Sequence, residues 1–313
     1  MRTRALTVSF LFAIATADVV PAAAETSGPR EIRVGYSEGV LTGMDPKDIQ
    51  VAVELWAREL VYGDSLTFSP KIVFFSDTDE LAGLIKEMRI DIFSLGTVEY
   101  LQTRRRVPAH PALVPVVGED VFDRYILLVH RLSSVTQVSQ LAGKRLLVSM
   151  TAFDESVPVL WLESFLHGNG LGPQDDFFSE VRRGENTSQS VISLFFRQVD
   201  ACLVNERLFD TMTDLNPQLR SDLVVLARSP GFLAAVTCFP EGCDPEIRNL
   251  VTENALTRHM HTRGRQILAL FGVKGIRPFD PSQLATAVDL IAWSEQSGRG
   301  TVGKGLPDVK GDR

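Results

Sequence analysis

Asp91-Ile92-Phe93-Ser94-Leu95-Gly96-Thr97-Val98-Glu99-Tyr100 is the stretch whose reading decides the fold. Its first half is a short apolar run of strand-forming residues, and its second half opens on glycine and continues at helical spacing, with no linker between them. A strand that passes through glycine directly into a helix is a unit of an α/β fold: the glycine permits close backbone approach, and the first helical N–H groups stay free. Gly96 and Thr97 are therefore candidate ligand contacts, with Tyr100 one turn further on.

Toward the N-terminus, Ile32 to Tyr36 and Lys71 to Phe75 read as strands. Asp45-Pro46 predicts a capped helix with Ile49, Val53, Trp56 and Leu60 on one face, and Asp77 caps a second helix carrying Leu81, Leu84, Ile85 and Met88. Toward the C-terminus, the longer apolar run Phe122 to Arg131 carries the chain into a second lobe, where the alternation restarts. Strands are expected at Lys144 to Ser149, Phe177 to Arg182 and Ala201 to Asn205, and helices at Asp154 to His167, Ser188 to Gln198 and Glu206 to Leu215. Leu223 to Leu226 follows, and Phe232 to Cys238 reads as a strand leading back. The remainder is mainly helical, with Leu284, Val288 and Ile291 on one face.

The expected organisation is an export signal over 1–24, a first lobe over 25–121, a second lobe over 122–243, C-terminal helices returning to the first lobe over 244–296, and an unstructured glycine-rich, charged tail over 297–313. The fold class is α/β with two lobes, a hinge where the chain crosses between them, and an interlobe cleft. In such sheets ligands sit at the carboxyl ends of the strands, beside helix N-termini. The loops after each strand thus supply the candidates: Tyr36 and Ser37, then Gly96, Thr97 and Tyr100 in the first lobe. Thr151, Phe153, Asp154 and Ser156 are their second-lobe counterparts, with Asn186, Thr187 and Asn205 beside them.

Arg2 and Arg4, the apolar run Ala5 to Val20 and the small residues before Glu25 have the layout of a cleaved secretory signal, which places the mature chain in the periplasm as a soluble protein. A formal net charge of -7 argues against nucleic acid as a partner. Cys202 reads as a packing residue, whereas Cys238 and Cys243 are close enough in sequence to close a small disulfide loop in an oxidising compartment. His259 and His261 would point in different directions on a helix, so no metal is expected there. No nucleophile elbow, carboxylate pair or phosphate-binding glycine loop appears, so neither a catalytic residue nor a cofactor is implied.

The chain also resembles the periplasmic substrate-binding proteins of phosphate, phosphite and phosphonate ABC transporters, which have the type 2 solute-binding fold. The resemblance is carried by Asp91 to Tyr100, by Leu141-Ala142-Gly143-Lys144-Arg145 at the opening of the second lobe, by Gln198-Val199-Asp200-Ala201, and by Ser229-Pro230 before the return strand. It implies capture of a small ligand by lobe closure and no covalent chemistry. The implied partner is an ABC permease or, alternatively, the outer domain of a sensor kinase, with the binding protein itself a monomer. Family members that hold a phosphonate use a serine-threonine-serine-glycine stretch where this chain has Phe153-Asp154-Glu155-Ser156, and a histidine where it has Asn186 or Thr187. Two carboxylates would repel an anion, so the expected ligand is neutral, zwitterionic or cationic. An enzyme built on the same two-lobed scaffold is the rival reading.

Overall fold

A computed structural model describes residues 29–38, 46–62, 68–149 and 156–298. The export signal, the tail from residue 299, and Thr151, Phe153 and Asp154 lie outside these described residues.

The first lobe begins β1 (Arg30–Ser37), α1 (Pro46–Leu60), β2 (Phe68–Phe75), α2 (Thr78–Lys86), β3 (Ile92–Gly96), α3 (Thr97–Thr103) and β4 (Ala109–Val116). A two-residue strand β5 (Phe122–Asp123) leads to the second lobe, which runs β6 (Tyr125–His130), β7 (Arg145–Ser149), α4 (Ser156–Gly168), α5 (Gln174–Phe177), β8 (Glu180–Gly184), α6 (Thr187–Phe195), β9 (Ala201–Asn205), α7 (Glu206–Leu215), α8 (Pro217–Asp222) and β10 (Leu223–Arg228). The chain returns through β11 (Phe232–Leu233) to β12 (Ala235–Pro240), α9 (Pro245–Thr257), α10 (Thr262–Leu270), β13 (Gly275–Pro278) and α11 (Ala285–Gln296).

Two sheets form, ordered β13-β4-β12-β3-β1-β2 and β10-β6-β9-β7-β8. Each mixes parallel and antiparallel pairings. β1 pairs parallel with β2 and β3, and β7 pairs parallel with β8 and β9. The strands adjoining the crossovers, β12 and β6, run antiparallel to β3 and β9, because a chain that enters or leaves a lobe at the carboxyl end must run against the strands that end there. Between the lobes, β5 and β11 pair antiparallel with Phe232 opposite Asp123, so both crossings are tied together.

The two lobes also use the same device beneath their cleft-facing strands. Asp91 Oδ2 accepts from the Arg33 backbone N–H at 2.7 Å and from Arg33 Nε at 2.8 Å, joining β3 to β1. Asp200 Oδ2 accepts from the Arg145 backbone N–H at 2.9 Å and from Arg145 Nε at 3.1 Å, joining β9 to β7.

β6 is buried along its whole length, which explains its unbroken apolar sequence. Its side chains alternate between faces: Tyr125, Leu127 and Val129 join the core that includes α4, while Ile126 and Leu128 pack with Val191, Leu194 and Phe209 of α6 and α7. In the first lobe, Ile32, Val34 and Tyr36 of β1 pack on the Val53, Ala57 and Leu60 face of α1. Each such apolar side chain, once buried, contributes about 1.5–3 kcal/mol.

Several elements differ from the sequence reading. Met88 is exposed with φ 52, because α2 stops at Lys86 and the chain turns there toward β3. Phe177, expected to start a strand, ends the short helix α5, and the strand runs over Glu180–Gly184 instead. β4 and β13 were not legible as strands. β4 contains Pro111 and Pro115, and a proline lacks the N–H that a ladder needs; Pro111 is accommodated beside a register shift opposite Thr237 and Cys238. The chain rejoins the first sheet at Ala235, ahead of the boundary expected at Cys243. Of the C-terminal helices, α9 and α10 pack on α1, whereas α11 contacts both α3 of the first lobe and α4 of the second. His167 of α4 and Trp293 of α11 have ring centroids 5.8 Å apart across that contact.

Candidate functional site

Strand register brings the expected loops to the interlobe side of the sheets. β1 and β3 both end there, at Ser37 and Gly96, and β7, β8 and β9 end on the facing side at Ser149, Gly184 and Asn205.

In the first lobe, Ser37 is 2% exposed and its Oγ donates to Glu99 Oε1 at 2.8 Å, so the end of β1 is joined to the first turn of α3. Glu99 is half-buried, and Glu38, next to Ser37 in the chain, is exposed. Tyr36 is buried in the β1 core, and that burial pushes its phenol up, keeping it neutral. Gly96 caps α3 with an extended backbone and no side-chain bond. Thr97 is fully buried and donates from Oγ1 to the Leu233 carbonyl at 2.5 Å, which ties α3 to the return crossover β11. Tyr100 is a core residue whose ring meets Phe279 edge-on at 6.4 Å.

In the second lobe, Ser149 Oγ and Thr187 Oγ1 lie 3.0 Å apart, both buried, linking the end of β7 to the start of α6. Asn186 is exposed and caps α6, accepting from the Gln189 backbone N–H at 2.9 Å. Ser156 opens α4 and is half-buried. Asn205 is 2% exposed and does two things: its Oδ1 caps α7 by accepting from the Leu208 N–H at 3.3 Å, and its Nδ2 donates to Asp123 Oδ1 at 2.8 Å.

Asp123 and Glu99 were not singled out from the sequence. Asp123 is a carboxylate on the crossover strand β5, 5% exposed, with Arg207 Nη2 4.0 Å from its Oδ1. Burial pushes its carboxyl up, opposed by the Asn205 hydrogen bond and the Arg207 charge, with the net direction upward. The signal available beforehand was a lone acid between apolar Phe122 and Tyr125, where the chain changes lobes.

The disulfide considered for Cys238 and Cys243 is not formed. Cys238 faces the core from β12, whereas Cys243 lies beyond the turn and its Sγ contacts the Asp244 carbonyl at 3.7 Å. Among the described residues no group of three or more metal-ligating side chains is found, and no helix is long and apolar enough to cross a membrane.

Two α/β lobes tied by paired crossovers, with strand ends and helix starts facing across the gap, is the frame against which the sequence comparison is decisive: residues 39–284 match the family described as ABC transporter, phosphonate, periplasmic substrate-binding protein. The chain belongs to this phosphonate-binding family. Its function is solute binding, and the family is one of binding proteins and not of enzymes. Among solved structures of similar fold is PhnD1 from Prochlorococcus marinus in complex with methylphosphonate, with a TM-score of 0.63 and 14% identity over 87% of this chain and 99% of that one. A binding protein component of an ABC phosphonate transporter from Pseudomonas aeruginosa gives 0.62 and 13% over 88% and 91%. XAC2383 from Xanthomonas citri, bound to ATP, gives 0.60 and 18% over 87% and 99%. No match is found among curated proteins. The fold is thus that of the phosphonate-binding family, and the ligand is a separate question.

Proposed function

We propose that this phosphonate-binding-family protein captures a small amine-bearing solute in the periplasm, cationic or zwitterionic, and delivers it to the permease of an ABC importer. One observation carries the ligand class. The strand-end segments 37–45, 94–103, 149–156 and 184–196 contain no lysine or arginine, yet they hold Glu38, Asp45, Glu99, Asp154, Glu155 and Glu185. An anion in a partly dry cleft needs cations or unopposed N–H groups, and each nearby carboxylate opposes it by on the order of 1 kcal/mol or more. An ammonium group reverses that sign, and Ser37 with Glu99 offers it a hydroxyl and a carboxylate at one strand end. Arg207 follows β9, but its guanidinium turns toward Asp123 at the crossover.

Closure follows if the solute contacts both lobes and therefore binds the closed arrangement more tightly than the open one. The test is a thermal-shift screen of the mature protein with polyamines and amino acids in one arm and methylphosphonate, phosphate and ATP in the other. A ligand at 100 times its dissociation constant stabilises by about 2.7 kcal/mol. Stabilisation by an amine is the expected result; strong stabilisation by methylphosphonate, phosphate or ATP alone would overturn the assignment.

A further inference from the structure

A pocket of about 630 Å³ opens beside the crossover strand β5, between α7 of the second lobe and two first-lobe segments, 117–120 and the turn carrying Gly272 and Lys274. None of Ser37, Glu99, Ser149 and Thr187, at the strand ends described above, lines it. Helix α7 buries Phe209 and Thr213 and turns Arg207, Asp210, Thr211 and Asp214 to the pocket, the i, i+3, i+4, i+7 spacing of one helix face.

Charge is ordered along that face. Arg207 stands in the first turn and Asp214 in the last, about 10 Å apart at about 1.5 Å per residue. That is the reverse of what a helix favours for itself, since its N-terminus is the positive end of the macrodipole and its C-terminus the negative end. Asp210, between them, is neutralised by Arg220 at 3.3 Å. Asp214 is exposed, and its carboxylate has no partner among the described residues. At the opposite end Lys274 joins Arg207: its backbone N–H donates to the Val116 carbonyl at 2.8 Å, two residues from Gly118, and a Cβ built on Gly118 would stand 3.3 Å from Arg207 Cδ. The Lys274 ammonium is likewise exposed and without a partner among the described residues. The 4.0 Å contact of Arg207 Nη2 with Asp123 is longer than a hydrogen bond, so the guanidinium keeps donors that no protein acceptor engages. Of the other carboxylates in the lining, Asp120 pairs with Arg124 at 2.9 Å and Glu206 with Arg228 at 2.6 Å, and Glu119 is exposed.

We propose that this pocket is a second binding site, for a short unblocked peptide of about three residues, with its carboxylate at Arg207 and Lys274 and its ammonium at Asp214. A guanidinium takes a carboxylate through two parallel N–H···O bonds. A carboxylate at the start of α7 and an ammonium at its end agree with the macrodipole as well as with the side chains, so the ligand offsets the reversed charges of the helix. Length follows from the same geometry: three extended residues at about 3.3–3.6 Å each span about 10 Å. A free amino acid carries both charges on one carbon and reaches only one end, and a polyamine or a phosphate has only one of the two charges. The pocket volume falls within the range of about 300–1,000 Å³ common to small-ligand sites.

The site is independent of the amine-binding loops, so its failure leaves the amine assignment standing. Calorimetric titration of the mature protein with three probes tests it: trialanine, N-acetyl-trialanine, which lacks the ammonium, and trialanine amide, which lacks the carboxylate. Trialanine is expected to bind, and each blocked form about ten-fold more weakly. Asp214→Asn should weaken trialanine about ten-fold and leave the acetylated peptide unaffected, because the charge it served is already gone. Lys274→Met should weaken trialanine and leave the amide unaffected, and Arg207→Met should follow the same pattern. Asp214 and Lys274 are both exposed, which keeps the test informative should Arg207→Met fold poorly. A merely structural role would change the binding of all three peptides alike. Absence of trialanine binding, or equal effects of each variant on the three peptides, overturns the proposal. Binding that Glu99→Gln weakens and Asp214→Asn leaves intact also overturns it, since the peptide then lies among the strand-end loops.

Discussion

Asn205 Nδ2 donates to Asp123 Oδ1 at 2.8 Å, which joins the cap of α7 to the crossover strand β5 with both residues almost wholly buried. Asp123 is the member of the pair that titrates, and burial holds its carboxyl above the ordinary value of 3.8. A carboxyl raised in the fold contributes most to stability when protonated, and that contribution is lost as pH rises from the ordinary value through the folded one. Asp123→Asn keeps an acceptor for Asn205 and removes the charge. Its melting temperature relative to the native protein is expected to be most favourable near neutrality, with the gain shrinking as pH falls toward about 4. Thermal melts across that range check it, and a pH-independent difference would remove the argument. Asp123→Ala, which leaves Asn205 Nδ2 unpaired, should cost about 1–3 kcal/mol.

The second lobe offers the opposite sign. Burial pushes the Asp200 carboxyl up, but hydrogen bonds from the Arg145 side chain and backbone, with the Arg145 charge, outweigh it and hold the group below 3.8. Such a group stabilises the fold above the ordinary carboxylate value, and the benefit disappears as pH falls through the depressed one. Asp200→Asn should therefore be less stable than the native protein at neutral pH and equal to it in strong acid. Because the Asp200 and Arg145 side chains are 36% and 42% exposed, solvent screening keeps the ion-pair part to about 1 kcal/mol or less. Denaturant melts at neutral and acidic pH measure the difference; a deficit that persists in acid would show that charge is not its source.

The Asp200 and Asp91 positions also show what was legible in advance. Asp91-Ile92 and Asp200-Ala201 each announce a strand, and in both lobes the aspartate pairs with an arginine of the neighbouring strand. Asp77 acts as the cap its position suggested, and Asn205, named beforehand as a candidate ligand contact, caps α7. β4 and β13 escaped because their prolines argue against a ladder, and only tertiary pairing, of β4 with β12 and of β13 with β4, makes them strands. Asp123 escaped for a related reason: an acid in an apolar run has no readable role until Asn205 and Arg207, more than eighty residues away, are placed against it. Thr97 and Tyr100 lie on the helix expected after Gly96, but the direction of their side chains depends on β11 and Phe279, which no local pattern reveals.

The cysteines give a chemical prediction. Cys202 and Cys238 are buried and their thiols are pushed up out of reach of ordinary pH, whereas Cys243 is half-buried with its thiol pushed up to about 11 by burial and the nearby Asp91 charge. The thiolate is the reacting species, so modification should be slow even at Cys243. The folded mature protein is expected to take up one equivalent of a maleimide, slowly and at Cys243, and three after denaturation without reductant. Intact mass spectrometry reads both counts. One thiol after denaturation would mean that Cys238 and Cys243 had joined after all.

Glu99 separates the charge of the cleft from its shape. Its Oε1 accepts from Ser37 Oγ at 2.8 Å, and Glu99→Gln preserves an acceptor oxygen at nearly the same volume while removing the charge. Loss of a carboxylate from the first turn of α3 should cost the fold only about 0.3–1 kcal/mol. Binding is expected to respond more strongly. A cationic or zwitterionic solute held near Glu99 should lose about ten-fold in affinity, equivalent to about 1.4 kcal/mol, and the loss should diminish as salt screens the charge. Methylphosphonate or phosphate, if measurable at all, should bind Glu99→Gln more tightly than the native protein, since a repulsion has been removed. Calorimetric titration at two ionic strengths distinguishes the cases: weaker binding of an anion to Glu99→Gln would place that side chain in direct contact with an uncharged hydroxyl of the ligand and reverse the electrostatic assignment of the cleft.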